Sequence, residues 1–156
     1  VNQAAIMAYK AVPARKRTQK GVHLVLHLMS LAAGIVGIIV IFKVHREAGT
    51  ANMQTLHSWL GISTISLHGL QWVFAFFAYC FPGAEKSTRA KLLPWHSFAG
   101  MVIFLLAILT AETGLVRFNI LGQWLNTEAY IVNFIGLLIL LYAISVSLTV
   151  ILPRSY

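Results

Sequence analysis

Four stretches of at least twenty residues run without a single Lys, Arg, Asp or Glu: about Val22–Phe42, Leu56–Phe81, Leu92–Ala111 and Ala129–Leu152. A helix of about 20 apolar residues crosses the roughly 30 Å hydrocarbon core of a bilayer. Inside that core every backbone N–H and C=O needs a partner, which leaves only helices and closed barrels. Barrel strands show alternating apolar and polar residues in short repeats, and this sequence has none. The four runs therefore predict four transmembrane helices in an all-α polytopic bundle.

Composition agrees. The chain is 58% hydrophobic and 10% charged, where a soluble domain carries about 25% charged residues. Disorder needs low hydrophobicity and is excluded on the same ground. The lone cysteine, Cys80, excludes an intrachain disulfide framework and a Cys-rich metal site. It reads as a small apolar helix residue. The chain begins at Val1, and Val1–Tyr9 has the character of the last turns of an earlier span. It is therefore read as a segment of a longer protein. No basic, apolar and cleavage-site pattern of a signal peptide is visible.

The net charge is +8, with twelve Lys plus Arg against four Glu. A basic balance can mark nucleic-acid binding. Here the bases lie between apolar runs, so they report membrane topology and not nucleic acid. Lys10, Arg15, Lys16, Arg17, Lys20, Lys86, Arg89, Lys91 and Arg154 fall on one side of the predicted bundle. Lys43, Arg46 and Arg117 fall on the other, accompanied by Glu47, Glu112 and Glu128. Nine against three is a positive-inside bias and makes the first side cytosolic. The first and third spans then run outward, the second and fourth inward. The linkers between spans are read as Lys43–Thr55, Pro82–Lys91 and Glu112–Glu128.

Six histidines in so apolar a chain need an explanation, because an ionisable group within a span is costly and usually functional. His45 lies in a linker, and His23, His27, His57, His68 and His96 lie in spans. His57-Ser58-Trp59-Leu60-Gly61 and His96-Ser97-Phe98-Ala99-Gly100 repeat one pattern near the starts of consecutive spans. Residues four apart share a helix face, so each glycine removes the side chain that would block a flat ligand beside the His. A helix-packing glycine is the plainer alternative. His23 and His96 both begin outward spans and so sit at one depth toward the cytosol. Two His on different helices at one level can clamp a haem iron. His57 lies toward the opposite side and has no equivalent partner here. His27 and His68 read as buried histidines bonded to a carbonyl or a haem propionate. Zinc chemistry is disfavoured, because the His are separated by whole spans. No Cys-x-x-Cys-His motif is present, so any haem would be non-covalent.

Ala5-Ile6-Met7-Ala8-Tyr9-Lys10, Val22-His23-Leu24-Val25-Leu26-His27, Leu56-His57-Ser58-Trp59 and Leu93-Pro94-Trp95-His96 resemble the eukaryotic cytochrome b561 family of transmembrane ascorbate-dependent oxidoreductases. Pro82-Gly83 and Val132-Asn133-Phe134 add to the resemblance. It implies a six-helix fold with two b haems. Residues 1–156 would be a single domain lacking the first helix and most of the second. By position it implies that His23 and His96 hold the cytosolic haem and that His57 holds one side of the other. His57's partner would lie about a dozen residues before Val1. It implies cytosolic ascorbate contacts at Lys16, Lys20 and Arg89, which by themselves read as ordinary positive-inside charge. On the far side it implies an acceptor site at His45 and Asn133, with Lys43 and Arg46 beside His45. His45 would handle protons there; alone it reads as a loop histidine.

The function so implied is electron transfer from ascorbate to monodehydroascorbate or a ferric chelate. The setting is an endomembrane or the plasma membrane, as a homodimer. A dedicated ferric reductase is the competing redox reading. A non-redox transporter or assembly subunit with structural histidines is the competitor from another class. Broken helices with Gly or Pro near the midplane would favour a transporter, whereas the prolines here lie at span ends.

Overall fold

The computed structural model describes Met7, residues 13–121 and residues 126–152. They form four helices: α1 (Lys16–Glu47), α2 (Leu56–Tyr79), α3 (Lys86–Leu121) and α4 (Asn126–Ile151). No strand occurs among the described residues. All four helices are long and apolar enough to cross a membrane. The reading of Val1–Tyr9 as the end of an earlier span lies, Met7 apart, outside the described residues.

The helices outrun the apolar stretches that predict them. Lys, Arg, Gln and Glu are good helix formers, so a helix continues past the hydrocarbon edge into solvated ends. α1 starts at Lys16 and reaches Glu47, which moves His45 from a linker into the last helical turn. Its end is closed by Ala48 N–H to Val44 C=O at 2.9 Å and Thr50 N–H to His45 C=O at 2.9 Å. α3 begins at Lys86 inside the expected Pro82–Lys91 linker, and it continues through Glu112. Most of the expected Glu112–Glu128 linker is therefore helix, and Glu112 faces Gly136 of α4. Pro94 lies within α3, nine residues in. It leaves the Ala90 carbonyl without its helical N–H partner, close to the start of the helix where water can supply one.

α2 starts where expected. Thr55 caps it, its hydroxyl accepting from Ser58 N–H at 3.2 Å. It ends at Tyr79, two residues short of the expected Phe81, because Pro82 and Gly83 (φ 81°) turn the chain.

Packing follows chain order: α1 on α2, α2 on α3, α3 on α4. The α1 backbone does not come within 8 Å of α3 or α4 among the described residues. Phe104, Ile108, Ala143 and Val146 form the core between α3 and α4, with Met7 packed against it. α1 has no buried residue, and Ile39 and Leu70 are 62% and 69% exposed. Large apolar side chains so widely exposed mark surfaces that face lipid or other protein segments.

Lipid tails are as apolar as Leu, so hydrophobicity does not drive these helices together; close backbone approach and polar contacts do. At Gly34 a side chain would collide with Ile65, which marks a close approach of α1 to α2. A polar seam runs along α2 and α3. Thr64 hydroxyl meets Thr110 hydroxyl at 3.4 Å, Gln71 Nε2 donates to His96 C=O at 3.2 Å, and Tyr79 hydroxyl donates to Arg89 C=O at 3.5 Å.

Candidate functional site

α1 and α3 are held apart by α2, yet His23 and His96 face one another across the opening. Their ring centroids are 6.2 Å apart with the planes at 68°. Two metal–nitrogen bonds of about 2 Å each, added to the distance from each nitrogen to its ring centre, fill a gap of that width. The two helices run the same way through the bundle, and each carries its His about two to three turns from its start, so the common depth follows from the sequence. His96 Nδ1 is buried and has no hydrogen-bond partner among the described residues. Gln71 anchors the His96 backbone, and the Tyr79 ring lies 5.5 Å from the imidazole.

A cavity of about 350 Å³ occupies the opening, lined by both histidines, Gln71 and Gly100. Small-molecule sites span about 300–1,000 Å³. Lys20, Tyr79 and Arg89 line it as well. Lys20 Nζ donates to the Tyr79 carbonyl, so this cation also satisfies the last carbonyl of α2. The early start of α1 puts Lys16 one turn outward of Lys20, exposed and away from the cavity wall. Two of the three expected cations thus converge on the His23–His96 opening. The third extends their field from outside.

The repeated His-Ser-aromatic-apolar-Gly pattern resolves into two local settings. Gly100 lines the cavity, as a flat ligand requires, although a Cβ there would also lie 3.2 Å from Gln71 Nε2. Gly61 instead packs on Thr110 of α3, the plainer packing role. The glycine nearest His57 is Gly114, where a Cβ would stand 3.0–3.1 Å from the imidazole. The sequence pattern missed Gly114 because it lies on another helix, fifty-seven residues after His57 (114 − 57). His57 Nδ1 bonds the Thr110 carbonyl at 2.9 Å, so this nitrogen carries the proton and Nε2 keeps a lone pair.

The α1 and α4 backbones do not come within 8 Å of one another among the described residues, and Asn133 is exposed on α4, so the structure does not bring His45 and Asn133 together. His45 Nδ1 instead bonds Asn52 Oδ1 at 2.8 Å, across the turn that follows α1. Lys43 is drawn to Glu47 at 3.8 Å, both side chains exposed. His27 and His68 make a contact that the sequence reading did not include. They pair with each other, Nδ1 to Nε2 at 3.2 Å. Residues a turn apart on one helix were legible from spacing; this contact joins α1 to α2 and was not.

The family model for eukaryotic cytochrome b561 matches residues 1–121. The chain belongs to the eukaryotic cytochrome b561 family. Among curated relatives of this cytochrome, it is 44% identical to the probable ascorbate-specific transmembrane electron transporter 1 of Oryza sativa subsp. japonica, over 96% of this chain and 66% of that protein. It is 39% identical to the transmembrane ascorbate ferrireductase 1 of Arabidopsis thaliana, over 93% of this chain and 63% of the relative. It is 40% identical to the human transmembrane ascorbate-dependent reductase CYB561, over 80% of this chain and 51% of the relative. The chain thus spans just under two thirds of the length of the first of these relatives.

Family membership implies haem b, and the site fits it on three observations. The donor set is imidazole from two helices, which suits iron. The rings are separated by the width of a metal ion with its bonds. The cavity between them is walled by a glycine. No cluster of three or more His, Cys, Asp or Glu able to hold a bare metal ion exists among the described residues.

Proposed function

We propose that the whole protein carries electrons across the membrane, from cytosolic ascorbate to monodehydroascorbate or a ferric chelate on the other side. The His23–His96 pairing across the α1–α3 opening, beside two cations, is the observation that carries this reading. The names of the relatives support ascorbate as donor.

In this reading His23 and His96 hold one haem b, and His57 holds one side of a second, its partner coming from a preceding span. Haem, when bound, would supply one-electron iron chemistry, tuned by the histidines that hold it, by hydrogen bonds and by burial. Lys20 and Arg89 attract the ascorbate monoanion to the cytosolic mouth, and Lys16 adds to the field. The Thr110 carbonyl fixes the His57 tautomer. His57 and Gln71, which touches the His96 backbone, are fourteen residues apart on α2 (71 − 57), about 21 Å along the axis. The two sites therefore serve opposite faces of the bilayer. On the far side His45, held by Asn52, presents its second nitrogen for proton exchange with the acceptor, and Asn133 contributes a polar contact from α4. The basic side faces the cytosol, and the membrane is an endomembrane or the plasma membrane.

The test is an absorption spectrum of the purified full-length protein. A Soret band that ascorbate shifts to its reduced position, from haem that acid-acetone extracts, is the expected result. A protein without such a band contradicts the proposal. The ferrireductase name among the relatives favours a ferric chelate as the second acceptor to try. Side-by-side rates with the two acceptors decide between them.

A further inference from the structure

Among the described residues His68 is the only buried ionisable side chain, 5% exposed. A polar ring at bilayer depth is expensive and, as a rule, functional. Its Nε2 bonds His27 Nδ1 at 3.2 Å, with ring centroids 5.2 Å apart and planes at 76°. His27 lies one turn after His23 on α1, and those rings meet edge-on, 4.5 Å between centroids at 73°. His23 then faces His96 at 6.2 Å. Three imidazoles thus form a chain from α2, through α1, to the α1–α3 opening. The edge contact opposes rotation of the His23 ring about its Cβ–Cγ bond, and the His27 ring is itself held by its bond to His68.

We propose that His68 is a positioning residue for the haem held by His23 and His96: acting through His27, it fixes the plane of the His23 imidazole. The proposal rests on the ligation argued above. Partners that hold a ligating histidine in one orientation are a recurrent means of tuning a metal site. The mutual tilt of two axial imidazoles splits the iron d orbitals, and that splitting is read in the g values of ferric low-spin haem. A merely structural role, in which His68 only satisfies a His27 nitrogen within lipid, changes stability and leaves the g values alone.

The experiment compares full-length wild type with His68→Leu and His68→Gln by frozen-solution electron paramagnetic resonance and by redox titration. In His68→Leu the lowest-field g value of the His23–His96 haem moves beyond its line width and the midpoint potential of that haem shifts. The signal of the other haem stays in place. His68→Gln, which keeps a hydrogen-bonding group toward His27, returns the g value toward wild type. Unchanged g values in a Leu variant that retains haem overturn the proposal, as does an equal shift of both signals. If the Leu variant does not accumulate, His68→Ser is small and too short to reach His27, and it decides by the same criteria. Wild type without haem overturns the ligation itself, so the two failures are told apart.

Discussion

At the residue scale, the imidazoles divide by where each ring sits. His23 and His96 face one another across the opening, so His23→Ala or His96→Ala is expected to remove one haem per full-length protein, measured as pyridine haemochrome. His27→Ala is expected to retain both. Loss of a haem in His27→Ala would contradict the assignment. The cations act separately from coordination. Exposed charges contribute up to about 1 kcal/mol each, and salt screens them over about 8 Å at physiological ionic strength. Neutralising Lys20 and Arg89 together is expected to raise the KM for ascorbate roughly tenfold at low salt and less at higher salt. Reduction by dithionite, which needs no anion site, should still reach completion. The placement of His23, His96, Lys20 and Arg89 around one opening was legible in sequence, because His23 and His96 begin parallel spans and Arg89 lies two turns before His96. The His27–His68 and His45–Asn52 bonds were not legible. Each depends on how a side chain turns across a helix interface or a loop, and spacing carries no signal of that.

At the element scale, α2 organises the molecule. It holds α1 and α3 apart, anchors His96 through Gln71, and carries both His57 and His68. The four spans were read from their apolar runs. Their ends were not, since charged helix formers extend α1 and α3 beyond the hydrocarbon edge, and only the turns at Thr55 and at Pro82-Gly83 gave local stop signals. Gly114 tests the α2–α3 contact. A Cβ there already stands 3.0–3.1 Å from the His57 ring, so Gly114→Val must displace the imidazole. The expected result is loss or shift of the spectroscopic signal of the haem at His57, with the His23–His96 signal unchanged. Equal perturbation of both signals would show that the contact is general packing and not local support of His57.

At the scale of the whole molecule, the charge asymmetry, the His23–His96 pair near the basic ends of α1 and α3, and His57 toward the opposite ends fit the proposed conductor with two ends. In that proposal the direction of flow follows from the side on which Lys20 and Arg89 gather. The most direct test uses the full-length protein in sealed vesicles, inserted with its basic side inward, ascorbate trapped inside and a ferric chelate outside. Reduction of the external iron that requires internal ascorbate, and that ceases in His96→Ala while the vesicles stay sealed, is the predicted result. External iron left unreduced by a haem-loaded wild type, or reduced equally well by His96→Ala, would contradict the account.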